Sequence, residues 1–255
     1  MKKFQRSLLH AGLEPKYRKE IGNEVIKHVY PGIKTKEIYN HAIKLIKKSS
    51  SLAAIKYSLK KSILQLGPTG FVFEKFVARY FEALGFKTFV GIVLQGEFVR
   101  HEVDVVAYKN NFQIYVECKF HNVMTTKNDI KTALYVKARW DDLKNGPDGK
   151  YLKNFYIASN TSFTSDAITY AKGCGLMLLG VNSPEEVSFL DLIVKHQLYP
   201  ITSLRRLKKI YCIELINRNL LLCSDLLKSK KILLKIGMSE EEIKNIFRDI
   251  NRLLS

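Results

Sequence analysis

Three carboxylates and a lysine between residues 70 and 121 have the types and spacing that could do chemistry. Glu74 lies in GFVFEKFVARYFEALGF, Asp104 lies in HEVDVV, and Glu117 and Lys119 lie in VECKF. Asp104 and Glu117 can hold a hard divalent cation, Mg²⁺ or Mn²⁺, through oxygen. Such an ion activates water and neutralises charge on a scissile phosphate, and Lys119 can orient the water or stabilise the transition state. This set predicts metal-assisted phosphodiester hydrolysis.

The spacing of the last two residues has a structural reason. Side chains alternate across a strand, so residues two apart share a face. In NFQIYVECKFH this places Glu117, Lys119 and His121 on one face and Cys118 in the opposite layer. Asn110-Asn111 predicts a hairpin turn that brings the strand of Asp104 alongside. The pattern of an acid, any residue and lysine occurs six times in the chain, but only the copy at Glu117 lies in an apolar strand.

The secondary-structure elements that must position these residues are both helices and strands. The sequence predicts helices at 70–84, 126–143 and 164–173, and strands at 86–95, 101–109, 112–120, 153–159 and 175–181. Consecutive antiparallel strands followed by alternating helix and strand predict an α/β fold with a mixed sheet flanked by helices. Helical patterns occupy residues 1–66 and 201–255, and Leu66-Gly67-Pro68-Thr69-Gly70 reads as the first linker. We therefore expect three parts, 1–66, 67–200 and 201–255.

Charge is distributed unevenly over these parts. The net charge is +18. Residues 1–66 carry 15 lysines and arginines against 4 acids, residues 67–200 carry 15 against 14, and residues 201–255 carry 12 against 6. A large excess of basic over acidic residues favours binding to a polyanionic partner. We therefore expect DNA as the partner, with most of the DNA affinity in the two basic flanks.

Composition narrows the class of protein. The chain is 46% hydrophobic, enough for a core, yet contains no apolar run of membrane-spanning length. The N-terminus lacks a signal-peptide pattern. The four cysteines are scattered without metal-site spacing and lie in apolar settings, as in reduced proteins. We expect no membrane association and a cytoplasmic location.

Several residues near the predicted strands are candidates for supporting roles. Glu102, which strict alternation places on the same face as Asp104, is a further candidate for an acidic residue of the site. His121 is expected to contact a phosphate or a residue that supports the metal. A zinc site formed by His101, His121 and Glu117 is an alternative, although imidazole suits softer ions than magnesium. The candidates for phosphate contacts on and before the following helix are Lys127, Lys131, Lys137 and Arg139.

The central segment resembles the Mrr-like restriction endonucleases of the PD-(D/E)xK superfamily. Three pieces match in order: FVFEKFVARYFEALGF, HEVDVV with VECKF, and SFTSDAITYAKGCGLMLLG. The resemblance implies a restriction-endonuclease-like fold and magnesium-dependent DNA cleavage, with catalytic roles for Asp104, Glu117, Lys119 and the helix residue Glu74. Mrr-like proteins often have glutamine at the second acidic position, where this chain has Glu117, as in the broader superfamily.

The flanking segments resemble two other modules. KFQRSLLHAG, EIGNEVIKHV, KTKEIYNHAIKLI and AAIKYSLK resemble an ATP-cone domain, which implies ATP binding. The basic glycine hairpin that begins that module is not found before KFQRSLLHAG, so a basic DNA-binding or dimerisation domain, and with it a homodimer, is the alternative. NLLLCSDLL and LLKIGMSEEEIKNI resemble a helix-hairpin-helix tail, with a simple helical cap as the alternative. Ser239, with Glu242 three residues later, predicts the start of the last helix as a capping box.

Two classes of function follow from the sequence. The first is a metal-dependent DNA endonuclease that acts in restriction or repair. The second is a non-catalytic regulator that binds nucleic acid or nucleotide on a nuclease fold. The complete set of Asp104, Glu117 and Lys119 favours the first class, because a protein that only binds DNA has no need of an acidic cluster facing it.

Overall fold

Five strands form the central sheet of the protein. The structure, a computed structural model, describes residues 4, 5, 8, 11, 13–49, 51–181, 183 and 187–255. The strands of the sheet are β1 (Lys87–Gln95), β2 (Arg100–Lys109), β3 (Phe112–Lys119), β5 (Leu152–Ser159) and β7 (Met177–Leu179). Their order is β1-β2-β3-β5-β7, antiparallel among the first three strands and parallel from β3 onwards. The predicted mixed sheet is therefore confirmed.

The hairpin between β2 and β3 fixes the register of the two strands. Lys109 pairs with Phe112 across the turn, and Asn110 adopts the left-handed conformation with φ of 55°. Val105 pairs with Val116 at the other end of the ladder. One step further along, this register brings Asp104 alongside Glu117.

Strict alternation fails at Asp104. Val103 packs in the core on one side of the sheet, whereas Val105 packs in the core on the other side. The register of β1 and β2 places Asp104 opposite Gly91, whose φ of 65° is a conformation that favours glycine. Simple alternation, which would place Glu102 and Asp104 on one face, therefore does not hold at this point, because the strand pair is distorted between them.

Helices cover both faces of the sheet. Helix α4 (Gly70–Ala83) buries Phe73, Phe76 and Val77 against one face, together with the strand residues Ile114 and Val116. Helices α5 (Ile130–Asn145) and α6 (Ser165–Cys174) cover the opposite face. Asp104, Glu117 and Lys119 therefore lie on strands that are sandwiched between two helical layers, and Glu74 lies on one of the covering helices.

The segment before α5 differs from the prediction of a helix that starts at 126. Asp129 caps the helix, because its Oδ1 accepts a hydrogen bond of 3.3 Å from the backbone N–H of Thr132. The preceding residues form β4 (Lys127–Asn128), which pairs in parallel with β6 (Ser162–Phe163). A 3₁₀ turn at Pro147–Gly149 then leads from α5 into β5.

The N-terminal part of the chain is helical, as predicted. It contains α1 (Pro15–Lys27), α2 (Thr35–Ser49) and α3 (Ser51–Leu64). The predicted helix within residues 1–12 lies largely outside the described residues. These helices have a small core of their own, but Leu59, Ile63 and Leu66 join the main core with α4 and the C-terminal helices. The chain therefore packs continuously across the predicted boundary at residue 66.

The C-terminal part is also helical. Its elements are α7 (Phe189–Lys195), a 3₁₀ turn (Ile201–Ser203), α8 (Lys209–Asn217), α9 (Cys223–Leu227), α10 (Lys230–Lys235) and α11 (Glu240–Leu254). The predicted cap of the last helix is confirmed: Ser239 and Glu242 form a reciprocal capping box with distances of 2.9 and 3.1 Å. An ion pair of 2.7 Å between Arg79 and Asp225 ties these helices to α4. Among the helices described, none has the length and apolar character of a membrane span.

Candidate active site

Asp104 lies on β2, and its side chain is partly buried. Its Oδ2 accepts a hydrogen bond of 2.6 Å from the backbone N–H of Cys118 on β3. Burial and the nearby charge of Glu117 raise the pKa of Asp104 from 3.8 to about 6, against the opposing effects of the Cys118 hydrogen bond, Lys119 and Arg139. This carboxylate is thus held in one position by the backbone while its negative charge is only partly compensated.

Glu117 and Lys119 project together from β3, as the two-residue spacing predicts. Glu117 is 5% exposed, and its Oε1 accepts a hydrogen bond of 2.7 Å from Nζ of Lys119. Its Oε2 accepts a hydrogen bond from Nη1 of Arg139 on α5. Two cationic groups therefore compensate the charge of this buried carboxylate.

Arg139 occupies a different place from the one expected from the sequence. We predicted that it binds phosphate, but its guanidinium is mostly buried and bonds to the Glu117 carboxylate and the backbone carbonyl of Glu102. In this arrangement Arg139 is not free to bind DNA. Instead it anchors α5 to the two strands that carry the acidic residues. The sequence gives no local signal for this pairing, because the partners are 22 positions apart.

Glu74 approaches the same cluster from the first turns of α4. Burial, together with the nearby charges of Asp104, Glu102 and Glu117, raises its pKa from 4.5 to about 7. A side chain on Gly70 would lie 3.6 Å from Oε1 of Glu74, so glycine leaves room beside this carboxylate. The helix and the two strands thus bring together all three carboxylates identified in the sequence.

The donor set fits a hard divalent cation. Among the described residues, no three metal-binding side chains come close enough to enclose an ion. Mg²⁺ does not need such an enclosure, since it commonly binds one or two carboxylates and keeps several waters or substrate phosphate oxygens. Burial and, after it, mutual repulsion raise the pKa values of Glu74 and Asp104, and a cation bound there would relieve the repulsion. Asp104 and Glu117 are therefore suitable ligands, with Glu74 close enough to act through water.

The two histidines have separate partners. Nε2 of His121 lies 2.9 Å from Oδ1 of Asn128, and its backbone N–H donates to Asn160. Nε2 of His101 lies 2.6 Å from the carboxylate of Asp142, near the start of β2. The structure therefore does not form the zinc site of His101, His121 and Glu117 considered above.

A buried polar network supports the end of β3 and was not expected from the sequence. Asn128 is 2% exposed, and its side-chain amide donates to the hydroxyls of Ser159 and Thr161. Ser159 in turn donates to the carbonyl of Lys119 at 2.9 Å. The only signal in the sequence was the polar run Ser159 to Thr161 directly after an apolar strand. This network fixes the backbone from which Lys119 and His121 project.

The lysines proposed as phosphate contacts differ in availability. Lys127 on β4 and Lys131 at the start of α5 are exposed. Lys137 pairs with Asp141 and lies 5.2 Å from the ring centroid of Trp140. Lys127 and Lys131 are thus the members of the predicted set that remain open to a ligand.

The raised pKa of Asp104 predicts a measurable effect on stability without metal. The folded pKa of about 6 exceeds the ordinary value of 3.8, so the folded state holds this proton more tightly than the unfolded state. The associated stability is complete below the ordinary pKa and is lost as pH rises through about 6. We expect Asp104→Asn, which keeps an oxygen for the Cys118 N–H, to be more stable than the wild type in EDTA at about pH 8, by roughly 1–3 kcal/mol. Denaturant unfolding of both proteins across the pH range measures this difference.

The control for this experiment is Glu97→Gln, an exposed carboxylate in the loop before β2. We expect no pH-dependent gain from it. A stability difference for Asp104→Asn that stays constant from about pH 4 to about pH 8 would contradict the assignment of a raised pKa.

Comparisons with known proteins identify families that this chain resembles. A family model described as restriction endonuclease, Mrr_cat, matches residues 67–182, and a model described as AF1548-like, C-terminal, matches residues 199–254. Neither model reaches residues 1–66, so the ATP-cone resemblance stays a prediction. The first model covers every residue of the acidic cluster.

Two individual relatives are similar to most of the chain. An uncharacterised protein of Archaeoglobus fulgidus is 32% identical over 180 residues, which are 70% of this chain and 99% of that protein. The crystal structure of AF1548, a protein of unknown function, aligns with a TM-score of 0.59 and 31% identity over 72% of this chain and 98% of its own. Can2 from Sulfobacillus thermosulfidooxidans, solved with cyclic tetra-adenylate, aligns over 75% of this chain and 55% of its own, but its 16% identity and TM-score of 0.36 support no inference. The chain therefore belongs to the AF1548-like family, and within it residues 67–182 match the restriction-endonuclease model and residues 199–254 match the AF1548-like C-terminal model.

Proposed function

We propose that this protein is an endonuclease that hydrolyses phosphodiester bonds in DNA with Mg²⁺ or Mn²⁺. The observation that carries this proposal is the cluster of Glu74, Asp104 and Glu117 beside Lys119. Partly buried carboxylates that repel one another are costly to maintain unless a cation or a reaction makes use of them. The restriction-endonuclease domain, which contains this cluster, supports a hydrolytic role.

Each protein group has a role that follows from its position. Asp104 and Glu117 would hold the ion, which when bound supplies an activated water and neutralises charge on the phosphate. Lys119 is half-buried, with its ammonium next to Glu117, and stabilises charge that develops on the phosphate or orients the attacking water. Glu74, whose pKa is raised to about 7, can accept a proton near neutral pH.

DNA is the proposed substrate because of the charge distribution. The flanking segments 1–66 and 201–255 hold nearly all of the excess of lysine and arginine, while the central segment is almost neutral. Lys127 and Lys131 add exposed cations on and just before the helix that carries Arg139. Phosphate contacts of this kind position a duplex without reading its sequence. A role in restriction or in repair of foreign or modified DNA is consistent with such binding.

Incubation of the protein with supercoiled plasmid tests this function. We expect conversion to nicked or linear DNA with Mg²⁺ or Mn²⁺ and none with EDTA. A covalently closed circular substrate has no ends, so its cleavage identifies an endonuclease. If neither metal supports cleavage of circular or linear DNA, the proposal of a DNA endonuclease is wrong.

One observation favours a non-catalytic alternative. Both carboxylate oxygens of Glu117 are already engaged, one by Lys119 and one by Arg139. A regulator that binds nucleic acid or nucleotide could retain this arrangement without ever binding a metal. A gel-shift assay in Mg²⁺ separates the two functions, because the regulator retains intact DNA whereas the endonuclease converts it to product.

A further inference from the structure

A cleft separate from the acidic cluster lies between the N-terminal and C-terminal helices. Its volume is about 1270 Å³. One wall consists of residues from α2 and α3, and the opposite wall consists of residues 202–217. The linker that contains Gly67 and Pro68 closes one end. Because two distant parts of the chain form it, neither segment contains this cleft on its own.

The charged residues that line the cleft all have the same sign. Lys44 and Lys61 project from one wall, and Arg205 and Lys209 project from the other. No aspartate or glutamate lines the cleft in the part of the chain that the structure describes. Four cations that face one another across a cleft repel, and an anion bound between them removes that repulsion.

The sequence neighbours of Arg205 and Lys209 form ion pairs with carboxylates. Arg206 pairs with Asp249 at 3.2 Å, and Lys208 pairs with Glu242 at 2.8 Å. Arg205 and Lys209 have no such carboxylate partner among the described residues. Within residues 205–209, two cations therefore pair with acidic residues of α11, and the other two line the cleft.

The remaining lining combines apolar and amide groups. Leu207 and Ile213 supply apolar surface, whereas Asn40, Gln65 and Asn217 supply side-chain amides. Amides both donate and accept hydrogen bonds, as the edge of a nucleobase does. A purely aliphatic ligand would leave these amides unpaired, so the lining suits a ring with polar substituents.

Two hydroxyls line the cleft without a hydrogen-bond partner among the residues that the structure describes. They are the buried side-chain oxygens of Tyr39 and Ser203. Burial raises the pKa of Tyr39, and the charge of Arg205 acts in the opposite direction. Buried polar groups of this kind are costly. A ligand seated between the walls can supply acceptors to them after small side-chain shifts.

We propose that this cleft binds a nucleotide polyphosphate. The phosphates lie between Lys44, Lys61, Arg205 and Lys209, and the base lies against the apolar and amide-bearing surface. The four positive charges match the charge of about −4 on a nucleoside triphosphate. This inference is independent of the proposed nuclease function, because it concerns a different group of residues and a binding measurement.

Calorimetric titration of the full chain in EDTA tests the site, since EDTA excludes binding through a metal at the acidic cluster. The probes are ATP, GTP, CTP, UTP and inorganic triphosphate. We expect saturable binding of at least one nucleotide with one site per chain, at least about tenfold tighter than inorganic triphosphate. Arg205→Ala and Lys61→Ala, one on each wall, should each weaken that nucleotide by about tenfold or more.

Arg206→Ala is the matched control, because it removes the same charge one position away from a side chain that is already paired with Asp249. It should bind the nucleotide like the wild type, and thermal unfolding should confirm that every variant is folded. Arg205→Gln serves as a second variant if Arg205→Ala does not fold.

The proposal is overturned if no nucleotide binds at millimolar concentration, or if inorganic triphosphate binds as well as the nucleotides. Equal weakening by Arg206→Ala would also overturn it, because the effect would then reflect net charge alone. Single-stranded DNA that binds this cleft more tightly than every nucleotide, with the same dependence on Arg205, would assign the cleft to a nucleic-acid strand instead.

Discussion

Asp104→Asn is expected to abolish DNA cleavage while leaving the fold and DNA binding intact. The substitution removes the negative charge that would hold the metal but keeps an oxygen that can accept the N–H of Cys118. Loss of a metal ligand removes several kcal/mol of transition-state stabilisation, so we expect the single-turnover rate to fall by more than about 10³-fold. Quantitative plasmid cleavage with Mg²⁺ measures this rate, and a gel shift measures DNA binding.

The same variant links activity to stability. If Asp104 is both a metal ligand and a carboxylate with a pKa raised to about 6, Asp104→Asn should lose activity and gain metal-free stability at high pH. Glu97→Gln, the control for both measurements, should change neither. Cleavage by Asp104→Asn at the wild-type rate would remove Asp104 from the active site, whatever its effect on stability.

Lys119→Ala is expected to lose most turnover and to retain metal affinity. The ammonium of Lys119 lies 2.7 Å from Glu117 and is placed to act on the water or on the phosphate, not on the ion itself. Removal of one such charge-stabilising donor costs about 10²–10³-fold in turnover in other enzymes. Glu117 would keep its contact with Arg139, so the buried carboxylate would remain paired. Single-turnover cleavage and Mn²⁺ titration measure the two properties separately.

Two further variants make this result specific. Lys119→Arg should restore little activity, because a planar guanidinium cannot replace a compact ammonium in a confined site. Lys153→Ala removes an exposed lysine on β5 and should leave turnover unchanged. Near-normal turnover in Lys119→Ala would show that Lys119 serves only as the ion-pair partner of Glu117.

The sequence by itself determined the elements and the identity of the acidic cluster. The two-residue spacing of Glu117 and Lys119 in an apolar strand predicted that they project together, and their side chains do form a hydrogen bond. The strands, the Asn110 turn and the Ser239 cap were also predicted from patterns only a few residues long. Such patterns are readable because a strand alternates every second residue and a cap requires specific side chains at fixed offsets.

The tertiary structure decided which distant groups meet. Arg139, read from the sequence as a phosphate ligand, instead neutralises Glu117, because packing of α5 on the sheet carries its guanidinium to β3. The distortion opposite Gly91 interrupts the alternation of side chains at Asp104, although the local pattern predicts simple alternation. Arg205 and Lys61 line the same cleft only because the C-terminal helices pack against the N-terminal helices. Pairings of this kind depend on the packing of whole elements, since no short stretch of sequence contains both partners.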